Sequence, residues 1–190
     1  MRTLSRMKSA GAQTSSDATP RVIPSGHYLL GDAFGEGYPF DDEGPQRSVW
    51  VDAFDIDATP VTNAAFAAFV AATGYETEAQ RHGSSAVFHL AAAARGEHIL
   101  GRSPGAPWWL LVEGADWRHP HGPLSDLDGL EDHPVVHVSW ADPVTYAEWA
   151  GRALPTEVQW EAAARGGLIG ARFAWGDELT PGGRWMCNIW

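Results

Sequence analysis

Between residues 47 and 57 the chain reads RSVWVDAFDID, and its apolar positions alternate. Val49, Val51 and Ala53 share one phase; Phe54 and Ile56 then take the other. A period of two marks a strand with one buried face, and the change of phase predicts a bulge. The next stretch, PVTNAAFAAFVAATGY, changes period: Phe66, Phe69, Val70 and Thr73 recur at helical spacing. Thr62 is placed to cap the first turn with its hydroxyl, and Gly74 supplies a left-handed stop. HPVVHVSW (133–140) reads as a short buried strand. It leads into a second helix, ADPVTYAEWAG, with Ser139 as N-cap and Gly151 as stop.

A third helix follows in ALPTEVQWEAAARGG (153–167). Thr156 and Gln159 form the T-x-x-Q capping box, Pro155 precedes it, and Gly166–Gly167 end it. Glu161 and Arg165 form an i,i+4 pair, worth a few tenths of a kcal/mol. Glu157 lies in the first turn, where the helix dipole favours a carboxylate. Both glutamates are therefore read as structural rather than as acid/base catalysts. Between 75 and 132 the pattern lapses into a Gly/Pro-rich, aromatic stretch. It reads as one long loop, and a loop of that length is either functional or a mis-assigned element.

Composition narrows the class. A chain of 190 residues suffices for one domain, and 44% apolar against 19% charged residues indicates a globular one. Ordered structure is expected from Val22. The first twenty residues, rich in Ser, Thr, Gly and Ala, read as a disordered tail with no secretory h-region. The balance of 24 acidic to 13 basic residues argues against nucleic-acid or anionic-membrane binding. The longest apolar run, residues 64–72, falls far short of the roughly 20 that span a bilayer. A cytoplasmic monomer is expected. Ten tryptophans, 21 glycines and 13 prolines predict much irregular structure held by buried aromatic anchors. On that ground Trp108 and Trp109 read as core.

Candidate chemistry is sparse. His119-Pro-His121 lacks further metal ligands at sensible spacing and reads as a loop of hydrogen-bonded histidines. The run from Asp126 to Asp132 starts like a calcium loop, but Leu130 and His137 stand where oxygen ligands are required, so it reads as a solvated acidic loop. Ser85 has His82 and His89 nearby in sequence but no G-x-S-x-G elbow, which argues against a nucleophile. The single cysteine, Cys187, admits no internal disulfide and no CxxC pair.

Several stretches in order nonetheless resemble the formylglycine-generating enzymes, the sulfatase-modifying factors. They are IPSGHYLLGD (23–32), DDEGPQRSVWVDAFDID (41–57), PVTNAAFAAFVAATGY, APWW (106–109), WRHPHGP (117–123) and HPVVHVSWAD (133–142). YAEWAG with RALPTEVQWEAAARGG (146–167), FAWGDEL (173–179) and CNIW (187–190) complete the series. The resemblance implies an α+β fold of formylglycine-generating-enzyme type. That fold is compact, with much irregular structure, distantly C-type-lectin-like, and incomplete here at the C-terminus. It implies residues 1–21 as a tail and 22–190 as the N-terminal part of the domain.

The same resemblance implies an oxidase that converts the cysteine of a C-x-P-x-R segment in an unfolded sulfatase to Cα-formylglycine with O2 and Cu(I). It further implies structural Ca2+. Carried over by position, Ser85 and Trp108 line the peptide groove, which reverses the core reading of Trp108. Asn188 and the carbonyl of Ile189 match two calcium ligands. Two departures are local: Ala153 stands where the family has Arg, which puts a local ion pair in doubt, and TEVQWE replaces TEAEWE. The third is chemical. The family's cysteine pair lies in a G-G-S-x-x-C-x-x-x-x-C segment beyond Trp190, and Cys187 matches a non-catalytic position that reads as a small packing residue. Cu(I) is selected by soft thiolates. The expectation is therefore no catalytic residue in this chain and no turnover by it alone. The alternatives are a non-catalytic lectin-like, peptide-binding module and a sulfoxide-synthase relative. The latter class binds iron through an extra N-terminal helical domain, for which the tail has no room.

Overall fold

A computed structural model describes residues 20–38 and 40–188. The tail expected over 1–21 falls almost wholly outside these residues, and strand structure begins at Arg21. The architecture is α+β, with small antiparallel sheets, short helices and much irregular chain. The chain divides into two units, one of residues 59–153 and the other of 20–58 with 154–188.

In the second unit, β1 (Arg21–Ile23) pairs with β4 (Phe54–Ile56), and β2 (Gly26–Leu30) pairs with β3 (Arg47–Val51), both antiparallel. The phase change expected as a bulge is therefore a break. The alternation ends at Val51, and after Asp52–Ala53 the chain starts a new strand with a different partner. Val49 and Val51 point inward while Ser48 and Trp50 are exposed, as the alternation requires. Helix α4 (Glu157–Arg165) belongs to this unit. Leu30, Val51 and Ala162 are its buried residues. The capping box forms as read: Thr156 accepts the Gln159 N–H at 3.3 Å and Gln159 Oε1 accepts the Thr156 N–H at 2.9 Å. Gly166 takes φ 56° at the C-cap.

The other unit is built on α1 (Asn63–Thr73) and α3 (Ala141–Trp149). Thr62 caps α1, and Gly74 ends it at φ 68°. Phe66 and Phe69 are buried from this helix with Trp117 from a loop. Tyr75, Tyr146 and Trp149 pack around them, with Phe69 ring centroids 5.2–5.5 Å from those three. Burial of one such ring contributes about 1.5–3 kcal/mol.

Two readings of the neighbouring chain are corrected. Residues 133–140 form no strand and no buried run: His133, Pro134, Val136 and Trp140 are exposed. Pro134 makes one isolated bridge to Thr62. Pro134 has no N–H to extend a ladder, and His137 has φ 56°, which turns the chain out of extended geometry. Nor does Ser139 cap α3. Its hydroxyl has no partner, while its N–H donates to Asp142 Oδ2 at 2.7 Å.

The stretch 75–132 is not one loop. Thr77 and Gln80 form a second capping box that opens α2 (Glu78–His82). A three-stranded sheet follows, from β5 (Ser84–Phe88), β6 (Ile99–Ser103) and β7 (Ala106–Glu113), in the order β5-β7-β6. Val87, Leu110 and Val112 bury one face with Ala115. Leu111 and Trp109, on the alternate positions, stay exposed. Apolar residues on both faces of β7 erase the period of two, which is why the pattern hid it. No helix among the described residues is long and apolar enough to cross a membrane.

Candidate functional site

Ser85 lies on β5 opposite Val112 of β7, and the Trp108 carbonyl accepts the N–H of His89 at 2.8 Å. Side chains of paired residues share a face, so Ser85, Val87 and His89 lie on the same face as Val112, Leu110 and Trp108. Ser85 and Trp108 thus stand at opposite ends of one face, about 13 Å apart along the strands at ~3.3 Å per residue. The buried Val87 and Leu110 lie between them. Trp108 is 42% exposed and Trp109 37%. The core reading drawn from composition is overturned for both rings.

The partner of Ser85 is neither His82 nor His89. Its Oγ lies 2.9 Å from Nδ1 of His137, 52 positions away. The other ring nitrogen, Nε2, lies 2.8 Å from the Pro120 carbonyl. A carbonyl only accepts, so Nε2 carries the proton. A neutral ring then has its lone pair at Nδ1, and Ser85 donates to it. No pattern in the sequence joined these residues. The strand reading of 133–140 hid His137, whose left-handed φ of 56° is uncommon outside glycine.

Of the nearby pair, His119 behaves as read, whereas His121 is exposed and bonds through its backbone N–H to Ser125 Oγ at 3.0 Å. His119 Nδ1 lies 2.6 Å from the Ser125 carbonyl in a tight turn, and Asp126, Asp128, Glu131 and Asp132 are exposed. Asp142, by contrast, is fully buried. It accepts from the Tyr75 hydroxyl at 2.8 Å and from the N–H groups of Ser139 and Glu78 at 2.7 and 3.2 Å. Burial pushes the Tyr75 phenol above its ordinary range, and the Asp142 hydrogen bond adds to the shift. This carboxylate joins α2, α3 and the chain after α1, and it faces no open site.

In the other unit, Glu161 and Arg165 do more than pair within α4. Glu161 Oε1 accepts the Gly31 N–H at 2.9 Å, and Arg165 donates to the Gly31 carbonyl at 3.1 Å. Glu157 is paired with Arg47 at 3.3 Å and is 80% exposed. Both glutamates are structural, Glu161 by more than its helix pair suggested. Asp32, Glu43 and Glu161 border an open recess of about 390 Å³. Each of those carboxylates already accepts backbone N–H groups, from Gly37, Tyr38 and Gly31 respectively.

The described residues complete no site for either metal implied by the resemblance. Cys187 is exposed, which overturns its reading as a packing residue. It is the only thiol in the chain, where a Cu(I) site of the implied type needs two. Asn188 is exposed, and Ile189 lies outside the described residues. Calcium takes six to eight oxygens. Among the described residues no group of three His, Cys, Asp or Glu side chains is placed to hold an ion.

Residues 6–190 match the sulfatase-modifying factor enzyme 1-like domain. The chain belongs to the sulfatase-modifying factor family. Within that family it is 59% identical over 187 residues to the formylglycine-generating enzyme of Streptomyces coelicolor, covering 95% of this chain and 60% of the relative. It is 53% identical to the formylglycine-generating enzyme of Thermomonospora curvata, covering 89% and 56%. It is also 42% identical to a mouse protein named inactive Cα-formylglycine-generating enzyme 2, covering 88% and 53%. The chain thus spans a little over half the length of these relatives. Family members of both names share this region, so similarity across it does not by itself decide activity.

Proposed function

We propose that this chain is the N-terminal part of a formylglycine-generating oxidase. The intact protein oxidises the cysteine of a C-x-P-x-R segment in an unfolded sulfatase to Cα-formylglycine, with O2 and Cu(I). The high identity to relatives named for that activity carries the reading. This chain supplies scaffold and part of the peptide groove, with Ser85 and Trp108 as groove residues. Their partial exposure in the fold supports those roles. The copper-binding thiolate pair is not among these 190 residues, which hold a single cysteine. By position, Asn188 and the Ile189 carbonyl would supply two oxygens of a calcium site, and its other ligands are not among the groups brought together here.

The test is co-expression of the intact protein with a sulfatase carrying the motif. The aldehyde is expected by hydrazide capture and by peptide mass. A sulfatase that keeps its cysteine under aerobic, copper-replete conditions rules the activity out.

A second reading has one observation behind it, the similarity to a relative named inactive. In that reading the protein binds the peptide and does no chemistry. It predicts saturable peptide binding by the intact protein with no aldehyde.

A further inference from the structure

The Ser85–His137 pair has a consequence for what the groove recognises. Serine brings one O–H and two lone pairs. The Pro120 carbonyl fixes the proton of a neutral His137 on Nε2, so Nδ1 takes the Ser85 O–H. The serine proton is then committed inside the protein, and what Ser85 has left to offer is an acceptor. We propose that His137 is a positioning residue that makes Ser85 Oγ an acceptor for a backbone N–H of the extended cysteine-containing peptide. This rests on the peptide-groove reading above.

The geometry around His137 serves this role. Val135 N donates to the Val61 carbonyl at 3.0 Å and Val138 packs on the aromatic core, so the backbone is anchored on both sides. Between those anchors φ reaches 56°, a conformation that costs a β-carbon residue energy and persists when its surroundings enforce it. The turn sends one ring to both the Pro120 carbonyl and the end of β5. A serine at a partly buried strand end is otherwise free to rotate its hydroxyl and to present either a donor or an acceptor.

Asparagine and glycine separate this role from a purely structural one. Both tolerate the left-handed backbone. Asparagine keeps an acceptor where Nδ1 stands; glycine keeps none. The probes are a synthetic C-x-P-x-R peptide and the same peptide N-methylated at one backbone amide at a time, titrated calorimetrically. Ring 15N shifts report the tautomer. Expected are the Nε2–H tautomer and an Nδ1 resonance that moves in Ser85→Ala. Ser85→Ala and His137→Gly each weaken peptide binding roughly tenfold, and the double variant is no weaker than either single one. His137→Asn stays within about threefold of the parent protein, and one N-methylated peptide loses roughly tenfold in the parent but not in Ser85→Ala. The tautomer and N-methyl arms need only folded parent protein or Ser85→Ala, so they stand if His137→Gly unfolds. An Nδ1–H tautomer, or equal binding of all N-methylated peptides, overturns the inference and leaves the groove reading intact. Parent protein that binds no peptide overturns both.

Discussion

The carboxylate of Glu161 holds the backbone N–H of Gly31 at 2.9 Å, across 130 positions of sequence. Arg165 closes the clasp from the other side, at 2.6 Å to the carboxylate and 3.1 Å to the Gly31 carbonyl. Gly31 sits at φ 92°, and a β-carbon there would lie 2.6 Å from the Glu43 carbonyl. One helix turn and one glycine thus fix the end of β2.

The clasp predicts unequal costs for two glutamates one turn apart. Glu161→Ala leaves the Gly31 N–H without its acceptor and the Arg165 guanidinium without its counter-ion, and should cost about 2 kcal/mol. Glu157→Ala removes an exposed pair and should cost no more than about 0.5 kcal/mol. Urea melts measure both. Equal losses would contradict the assignment of Glu161.

Asp142→Ala should be far more damaging. It strands the Tyr75 hydroxyl and two N–H groups at a fully buried position, at a cost of about 3 kcal/mol or more. A loss below about 1 kcal/mol would mean the three donors find other partners.

Tyr75 adds a pH test. Its phenol is raised in the fold, by burial first and by the Asp142 hydrogen bond next. A group raised above its unfolded value contributes stability below that value, about 10 for tyrosine, and loses it as pH climbs through the folded value. The stability advantage of the parent protein over Tyr75→Phe should shrink above about pH 10. A gap that is constant from pH 8 to pH 11 would refute this.

Asp32 gives the acid counterpart. Its carboxyl is held below the ordinary range by the Gly37 N–H first and then by the Phe34 N–H, at 2.8 and 2.7 Å. A lowered carboxyl contributes stability above its unfolded value, about 3.9, and loses it as pH falls through the folded value. Asp32→Asn should flatten stability against pH in that acid window. A 13C titration placing the Asp32 carboxyl in the ordinary range would overturn the turn-capping account.

Much of this was legible where one signal acted alone. Helix α1 and helix α4 follow from apolar spacing bounded by a threonine cap and a glycine stop. The same T-x-x-Q signature opens α2 at Thr77, and Pro104-Gly105 marks the β6–β7 turn, so both could have been read. Helix α2 is too short to show a period, and β7 carries tryptophan and leucine outward as well as inward. The segment 133–140 misled for the opposite reason: a run of valines looks buried, but Pro134 and the left-handed His137 deny it a ladder. The Ser85–His137 pair was beyond reach, because partners 52 positions apart leave no local trace.

Two tryptophans separate stability from recognition. Trp117 is 2% exposed and packs 5.3 Å from the Phe66 ring; Trp108 is 42% exposed. Trp117→Ala should cost about 3–5 kcal/mol. Trp108→Ala should leave the melt within about 0.5 kcal/mol while weakening C-x-P-x-R peptide binding several-fold. Peptide binding unchanged by loss of Trp108 would return that ring to a packing role.

The central claim is that these 190 residues carry recognition without the sulfur ligands of the oxidation. The direct measurement incubates the purified chain with Cu(I), O2, a thiol reductant and a C-x-P-x-R peptide, and follows peptide mass and hydrazide reactivity. The account predicts bound peptide whose cysteine is unchanged. Catalytic appearance of the aldehyde, above a peptide-and-copper control, would contradict it.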